Sequence, residues 1–120
     1  MPHLTLEYTR NLKTFNPAGA LAAINQAMFD SGLFGEPDIK SRAIELDTFL
    51  IGVSATPRAF AHVRIAMLAG RSSDQRKDLA DSVLAALIVA VDGKNESEIQ
   101  LSVETIDLDR TSYAKAVING

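Results

Sequence analysis

Hydrophobic and polar positions alternate from the first residues of the chain. Leu4, Leu6 and Tyr8 fall on one side of an extended segment over residues 2–8, and His3, Thr5 and Glu7 on the other. That period of two predicts a half-buried strand. After a polar loop comes Asn16-Pro17. Asparagine suits a helix N-cap, and proline suits the first helical position because its missing N–H would be unpaired there anyway. Leu21, Ile24 and Met28 then recur at helical spacing, and Ser31-Gly32 closes the helix. A second strand is predicted over 39–46, continuing through Phe49-Leu50-Ile51.

The second half repeats this order. A strand over 60–68 is followed by the turn Ala69-Gly70. Ser72 with Gln75 three residues later has the form of a capping box. Leu79, Val83, Leu87 and Val91 make a helical stripe, widened by Leu84 and Ile88 and stopped by Asp92-Gly93. A strand over 98–106 follows. Matching elements begin 55 to 60 residues apart, with strands at 2 and 60, helices at 17 and 73, and strands at 39 and 98. The pattern predicts one domain over 1–120 with pseudo-repeats over 2–52 and 59–106. The tail, 107–120, reads as a short turn or helix packed locally or on a neighbour.

A helix between two strands favours a parallel pair with a right-handed crossover. Two β-α-β units therefore give an α+β fold, a four-stranded sheet with two helices on one face. The other face is left uncovered. Apolar residues at successive positions, as in Val63 to Leu68, predict burial of that face as well, through oligomerisation around an axis.

Composition narrows the chemistry. The 120 residues are 47% hydrophobic and 22% charged, with a net charge of −3, which argues against general nucleic-acid binding. Cysteine is absent, so disulfides, thiolate catalysis and zinc–thiolate sites are excluded. The longest apolar stretch, 83–91, is too short to span a bilayer, and the start lacks the pattern of a secretory leader. A cytoplasmic protein is the expectation.

Pro2 carries the most specific chemical possibility. Removal of Met1 would leave a secondary amine on the first strand. An α-amino group has a pKa of about 7.7–8.0 in model peptides, so burial or a nearby cation can bring its neutral form into play near pH 7. Such an amine is a candidate general base or nucleophile; Met-Pro is also a common start with no such role. Gly70-Arg71-Ser72 stands between a strand and a helix N-terminus, where backbone N–H groups and a guanidinium can grip a carboxylate. The same three residues also suit a tight turn with a solvated arginine. Lys40 and Arg42, two apart on a strand, share a face. They could hold a dianion or serve as charges guarding a sheet edge. His3 and His62 read as packed or hydrogen-bonded histidines rather than metal ligands, Arg64 as a salt-bridge partner, and Asp74, Lys77 and Asp81 as surface charges.

Met1-Pro2-His3 opening a strand, the duplicated β-α-β order and Gly70-Arg71-Ser72 together resemble the tautomerase superfamily. The length and the run Ile39-Lys40-Ser41-Arg42 resemble its 5-carboxymethyl-2-hydroxymuconate Δ-isomerase branch. The resemblance covers about residues 2 to 106. It implies a homotrimeric isomerase of aromatic-compound catabolism that needs no metal or organic cofactor. Its substrate would be a small anionic di- or tricarboxylate. It implies Pro2 as the base and Arg71, Arg42 and Lys40 as substrate-binding residues. The branch uses an arginine where this chain has Lys40, and lysine lacks the planar fork for bidentate binding. Alternatives of other kinds are a related tautomerase acting on another enol or keto acid, a non-catalytic trimeric binding or signalling module, and a ferredoxin-like regulatory module.

Overall fold

The computed structural model describes residues 1–91 and 97–120. Strand β1 (His3–Thr9) leads to helix α1 (Pro17–Asp30), a 3-10 turn (Glu36–Asp38) and strand β2 (Lys40–Leu46). Strand β3 (Arg58–Leu68), helix α2 (Ser73–Val91) and strand β4 (Glu98–Leu108) repeat the order, and a second 3-10 turn (Arg110–Ser112) opens the tail. The sheet runs β2-β1-β3-β4. Each β-α-β unit is a parallel pair, and β1 meets β3 antiparallel. This is the α+β architecture the periodicity predicts.

Local signals act as expected. The Asn16 side chain accepts a hydrogen bond from the Gly19 N–H at 3.1 Å, and Pro17 occupies the first turn. Ser72 and Gln75 form the reciprocal capping box, with the Ser72 N–H donating to Gln75 Oε1 at 2.9 Å and the Gln75 N–H to Ser72 Oγ at 3.1 Å. Gly32 takes φ +75°, the left-handed conformation that ends a helix most easily with glycine. The predicted stop at Asp92-Gly93 lies outside the described residues.

Leu4 and Leu6 of β1, Val63, Ile65 and Met67 of β3, Ile24 and Met28 of α1, and Val83 and Leu87 of α2 are fully buried in one core between sheet and helices. Each such side chain stabilises the fold by about 1.5–3 kcal/mol relative to exposure.

One expectation needs correction. Phe49-Leu50-Ile51 does not extend β2. The ladder ends where the Arg10 N–H donates to the Leu46 carbonyl and β1 turns away, the Leu12 N–H closing onto the Thr9 carbonyl. Among the described residues β1 offers the later ones no ladder partner, and Leu50 stands in solvent. The open face of the sheet mixes polar and apolar positions along β3. Alternation holds through β3, so Val63, Ile65 and Met67 turn inward while Arg64 is exposed beside half-buried Ala66 and Leu68.

The strand directions decide where chemistry can gather. The starts of β1 and β2 lie beside the ends of β3 and β4, because His3 pairs with both Lys40 and Ala66. The chain start, Lys40, the turn after Leu68 and the tail after Leu108 therefore share one edge of the molecule.

Candidate active site

Pro2 is held firmly. Its ring is fully buried, and its carbonyl accepts from the Lys40 N–H at 3.2 Å. Proline forfeits no ladder bond at this position because it precedes the strand. β1 is an inner strand of the sheet, so a terminus here is fixed from both sides.

Lys40 and Arg42 share the open face with His3 and Thr5, their register partners. Lys40 Nζ donates to the Asp38 carbonyl at 2.6 Å. Arg42 Nη2 lies 2.9 Å from His3 Nδ1, and His3 Nε2 lies 3.4 Å from the Tyr113 hydroxyl. A guanidinium can only donate. His3 Nδ1 is therefore the acceptor, and in this neutral ring Nε2 carries the proton toward Tyr113. Burial and then the charges of Arg42 and Lys40 hold the His3 pKa below its ordinary value, in keeping with that tautomer.

The tail forms the opposite wall. Lys115 Nζ donates to Asp38 Oδ1 at 2.9 Å, and this contact holds the Asp38 carboxyl below the usual carboxylate range. His3, Asp38, Lys40, Tyr113 and Lys115 line an open cleft of about 580 Å³. The terminal amine, carried here by Met1, has a pKa below its ordinary value. Burial is the largest cause, followed by Lys40 and Lys115, with Asp38 opposing.

Arg71 is placed differently. It follows Gly70, whose φ of +129° favours glycine. Its Nη1 donates to the Leu68 carbonyl at 3.3 Å and its Nη2 to the Leu33 carbonyl at 3.0 Å, while the guanidinium covers the Phe34 ring at 5.3 Å. Arg71 thus stands at the same edge of the sheet but does not line the cleft of His3 and Lys40. The structure brings Lys40, Arg42 and the chain start together, and adds Asp38, Tyr113 and Lys115, which sequence reasoning missed. Tyr113 and Lys115 meet their partners 110 and 77 residues away in sequence, and no local pattern announces such contacts.

A second polar group occupies the open face further along the sheet. His62 Nδ1 lies 2.7 Å from Ser102 Oγ, its Nε2 meets Glu104, and Arg64 Nε lies 3.6 Å from the same carboxylate. The His62 contact is the main reason the Glu104 carboxyl lies below its usual range. Arg64 is thus the salt-bridge partner its position suggested. Lys77 and Asp81 pair at 2.6 Å on an exposed helix face, as expected of surface charges. Among the described residues, no cluster of three metal-ligating side chains occurs, and no helix is long and apolar enough to cross a membrane.

The model of the 5-carboxymethyl-2-hydroxymuconate isomerase family matches residues 2–119. A 5-carboxymethyl-2-hydroxymuconate isomerase structure from Deinococcus radiodurans R1 is 30% identical, with a TM-score of 0.89 over 96% of this chain and 88% of that one. A 5-carboxymethyl-2-hydroxymuconate delta-isomerase structure is 17% identical, with a TM-score of 0.79 over 99% of this chain and 89% of that one. A fused 4-OT wild-type symmetric trimer is 18% identical, with a TM-score of 0.74 over 98% of this chain and 93% of that one. The last two share the fold. No curated protein matches the sequence.

Proposed function

The chain belongs to the 5-carboxymethyl-2-hydroxymuconate isomerase family and is an isomerase, and on that premise we propose that it moves a proton within a 2-hydroxymuconate-type dienol carboxylate, with Pro2 as the general base. The observation that carries this reading is the terminal amine beside Lys40 and Lys115, its pKa lowered by burial and by those charges. Removal of Met1 would make the Pro2 nitrogen the terminus, on a fully buried ring whose carbonyl accepts from the Lys40 N–H.

The chemistry then follows from the groups at hand. The neutral amine takes the proton of the enol hydroxyl. The electron pair released on oxygen shifts through the conjugated chain and becomes the 2-oxo group. Prolinium returns the proton to a distant carbon, so substrate and product are isomers. Cations near the forming oxyanion stabilise it more than they stabilise the neutral enol, which lowers the barrier. Lys40 lines the cleft for this, and Arg42 adjoins it through His3. Arg71, with five N–H donors of which two contact main-chain carbonyls, retains donors for a carboxylate that reaches the same edge.

A homotrimer completes the proposal. The uncovered sheet face, with its linked His62, Glu104 and Arg64, supports contact between copies, as does a fold shared with a symmetric trimer. Lys40, a point charge where the family's arginine would be a fork, favours looser recognition of the carboxylate and supports a related enol acid as the second substrate reading.

Ketonisation of a small 2-hydroxydienoate, followed by ultraviolet absorbance, tests the base. A form that retains Met1, and Pro2→Ala, should lose about 10²–10⁴-fold in rate, the usual contribution of a positioned general base. Full activity in both would remove Pro2 from the mechanism.

A further inference from the structure

We propose that Lys115 is a specificity-determining residue that binds the distal carboxylate of a dianionic substrate, exchanging Asp38 for it. The assignment rests on the enol-carboxylate isomerase reading above.

Position comes first. Lys115 lines the cleft on the tail side, opposite Lys40 and His3 on the sheet. The chain start reaches the same edge, where the Pro2 carbonyl accepts from the Lys40 N–H at 3.2 Å. A conjugated diacid can therefore set one carboxylate near Lys40 with its reacting carbons beside the amine, and direct the other carboxylate toward the tail.

Availability comes second. Among the described residues Lys115 Nζ donates to Asp38, and an ammonium has three donors. The side chains of that pair are 37% and 42% exposed, and pairs so open to water are weak. An incoming carboxylate can replace Asp38 as partner at little cost. The tail is nonetheless placed rather than loose, because Tyr113, two residues earlier, meets His3 on the cleft floor.

Charge balance agrees. Two cations, Lys40 and Lys115, line the cleft against the single carboxylate of Asp38, and Arg42 adjoins it through its contact with His3 Nδ1. That leaves an excess of one positive charge when the amine is neutral, which favours an anion, and two separate ammonium groups offer a partner to each end of a dicarboxylate. Lys115 also offers a physical answer to Lys40: a second ammonium in the cleft restores grip that one lysine lacks relative to a guanidinium.

The test compares two substrates, a 2-hydroxymuconate-type dienol with a carboxylate at each end and a 2-hydroxydienoate with one. Lys115→Met should raise KM for the dicarboxylate about tenfold, the size of one charged hydrogen bond. Measured at a pH above the acid limb of both forms, where the amine is neutral with or without Lys115, its kcat should change little, and the monocarboxylate should be turned over as before. Lys115→Arg should restore most of the dicarboxylate KM. An equal change for both substrates, or none for the dicarboxylate, would overturn the assignment. Lys115 is partly exposed, and equal urea midpoints for variant and parent verify folding. Should the parent turn over neither substrate, the isomerase reading fails separately. Calorimetry with muconate against a monocarboxylic dienoate then decides on Lys115 alone. Selective weakening of muconate by Lys115→Met supports the assignment, and unchanged or equally weakened binding refutes it.

Discussion

Replacing Arg71 with alanine removes two hydrogen bonds to main-chain carbonyls, from Leu68 and Leu33, together with the cover over Phe34. A hydrogen bond from a charged donor contributes about 1.5–3 kcal/mol, and a cation over an aromatic ring about 0.5–1 kcal/mol where water has access. Arg71 is only half-buried, so water can partly satisfy the abandoned carbonyls. The low end applies, a loss of about 2–3 kcal/mol. With a urea slope of about 1.5 kcal/mol/M for a domain of this size, the midpoint should fall by about 1.5 M at constant slope. Arg71→Met keeps apolar cover on Phe34 but loses both hydrogen bonds, so it should retain only the smaller part of the stability that Arg71 contributes. Phe34 is in the core cluster, and the Leu33 and Leu68 carbonyls belong to the loop after α1 and the end of β3. Arg71 therefore ties the two halves of the chain at the edge where the cleft opens. Measured with substrate kinetics, Arg71→Ala should show both lost stability and raised KM. An unchanged midpoint with a collapsed KM would refute the structural role and leave Arg71 as a substrate ligand alone.

Two further outcomes follow from named contacts. Ser72→Ala breaks one arm of the capping box at the start of α2 and should cost about 1 kcal/mol in urea unfolding without altering KM. Glu104 has a folded-state pKa below its ordinary value of 4.5, chiefly through His62. A depressed carboxylate contributes fully above the unfolded value and loses that contribution as pH falls through the folded one. Glu104→Gln should therefore flatten the decline of urea midpoint with acidification below about pH 4.5, and an unchanged acid limb would exclude this contribution.

The fold was legible because its signals are local. Strand alternation at Leu4-Leu6, the Asn16-Pro17 cap and the Ser72–Gln75 box each act within a few residues, and their repetition fixes two β-α-β units. Register and termination are not local. Phe49-Leu50-Ile51 has strand composition, but a strand needs a partner, and β1 has already turned at Thr9. The run from Val63 to Leu68 looks apolar on both sides only if Arg64 is overlooked; its pairing with Glu104 depends on β4, forty residues on. The site divides in the same way. Lys40 and Arg42 share a face because a strand has a period of two, which their spacing reveals. Their convergence with Tyr113 and Lys115 depends on the tail returning across the sheet edge, and residues 113–117 carry no periodic pattern that would show it.

The central claim is that Pro2 is a neutral base at working pH, and its titration tests this directly. In protein trimmed of Met1 and labelled with ¹⁵N-proline, the Pro2 nitrogen should titrate with a pKa below the ordinary α-amino range of about 7.7–8.0. The acid limb of the kcat/KM profile should fall at the same pH, since the free enzyme must hold the amine neutral. Lys40→Met should raise both values together, because Lys40 is the largest charge lowering the pKa of the terminus. A Pro2 nitrogen titrating at or above the ordinary range, or an acid limb that ignores it, would contradict the account.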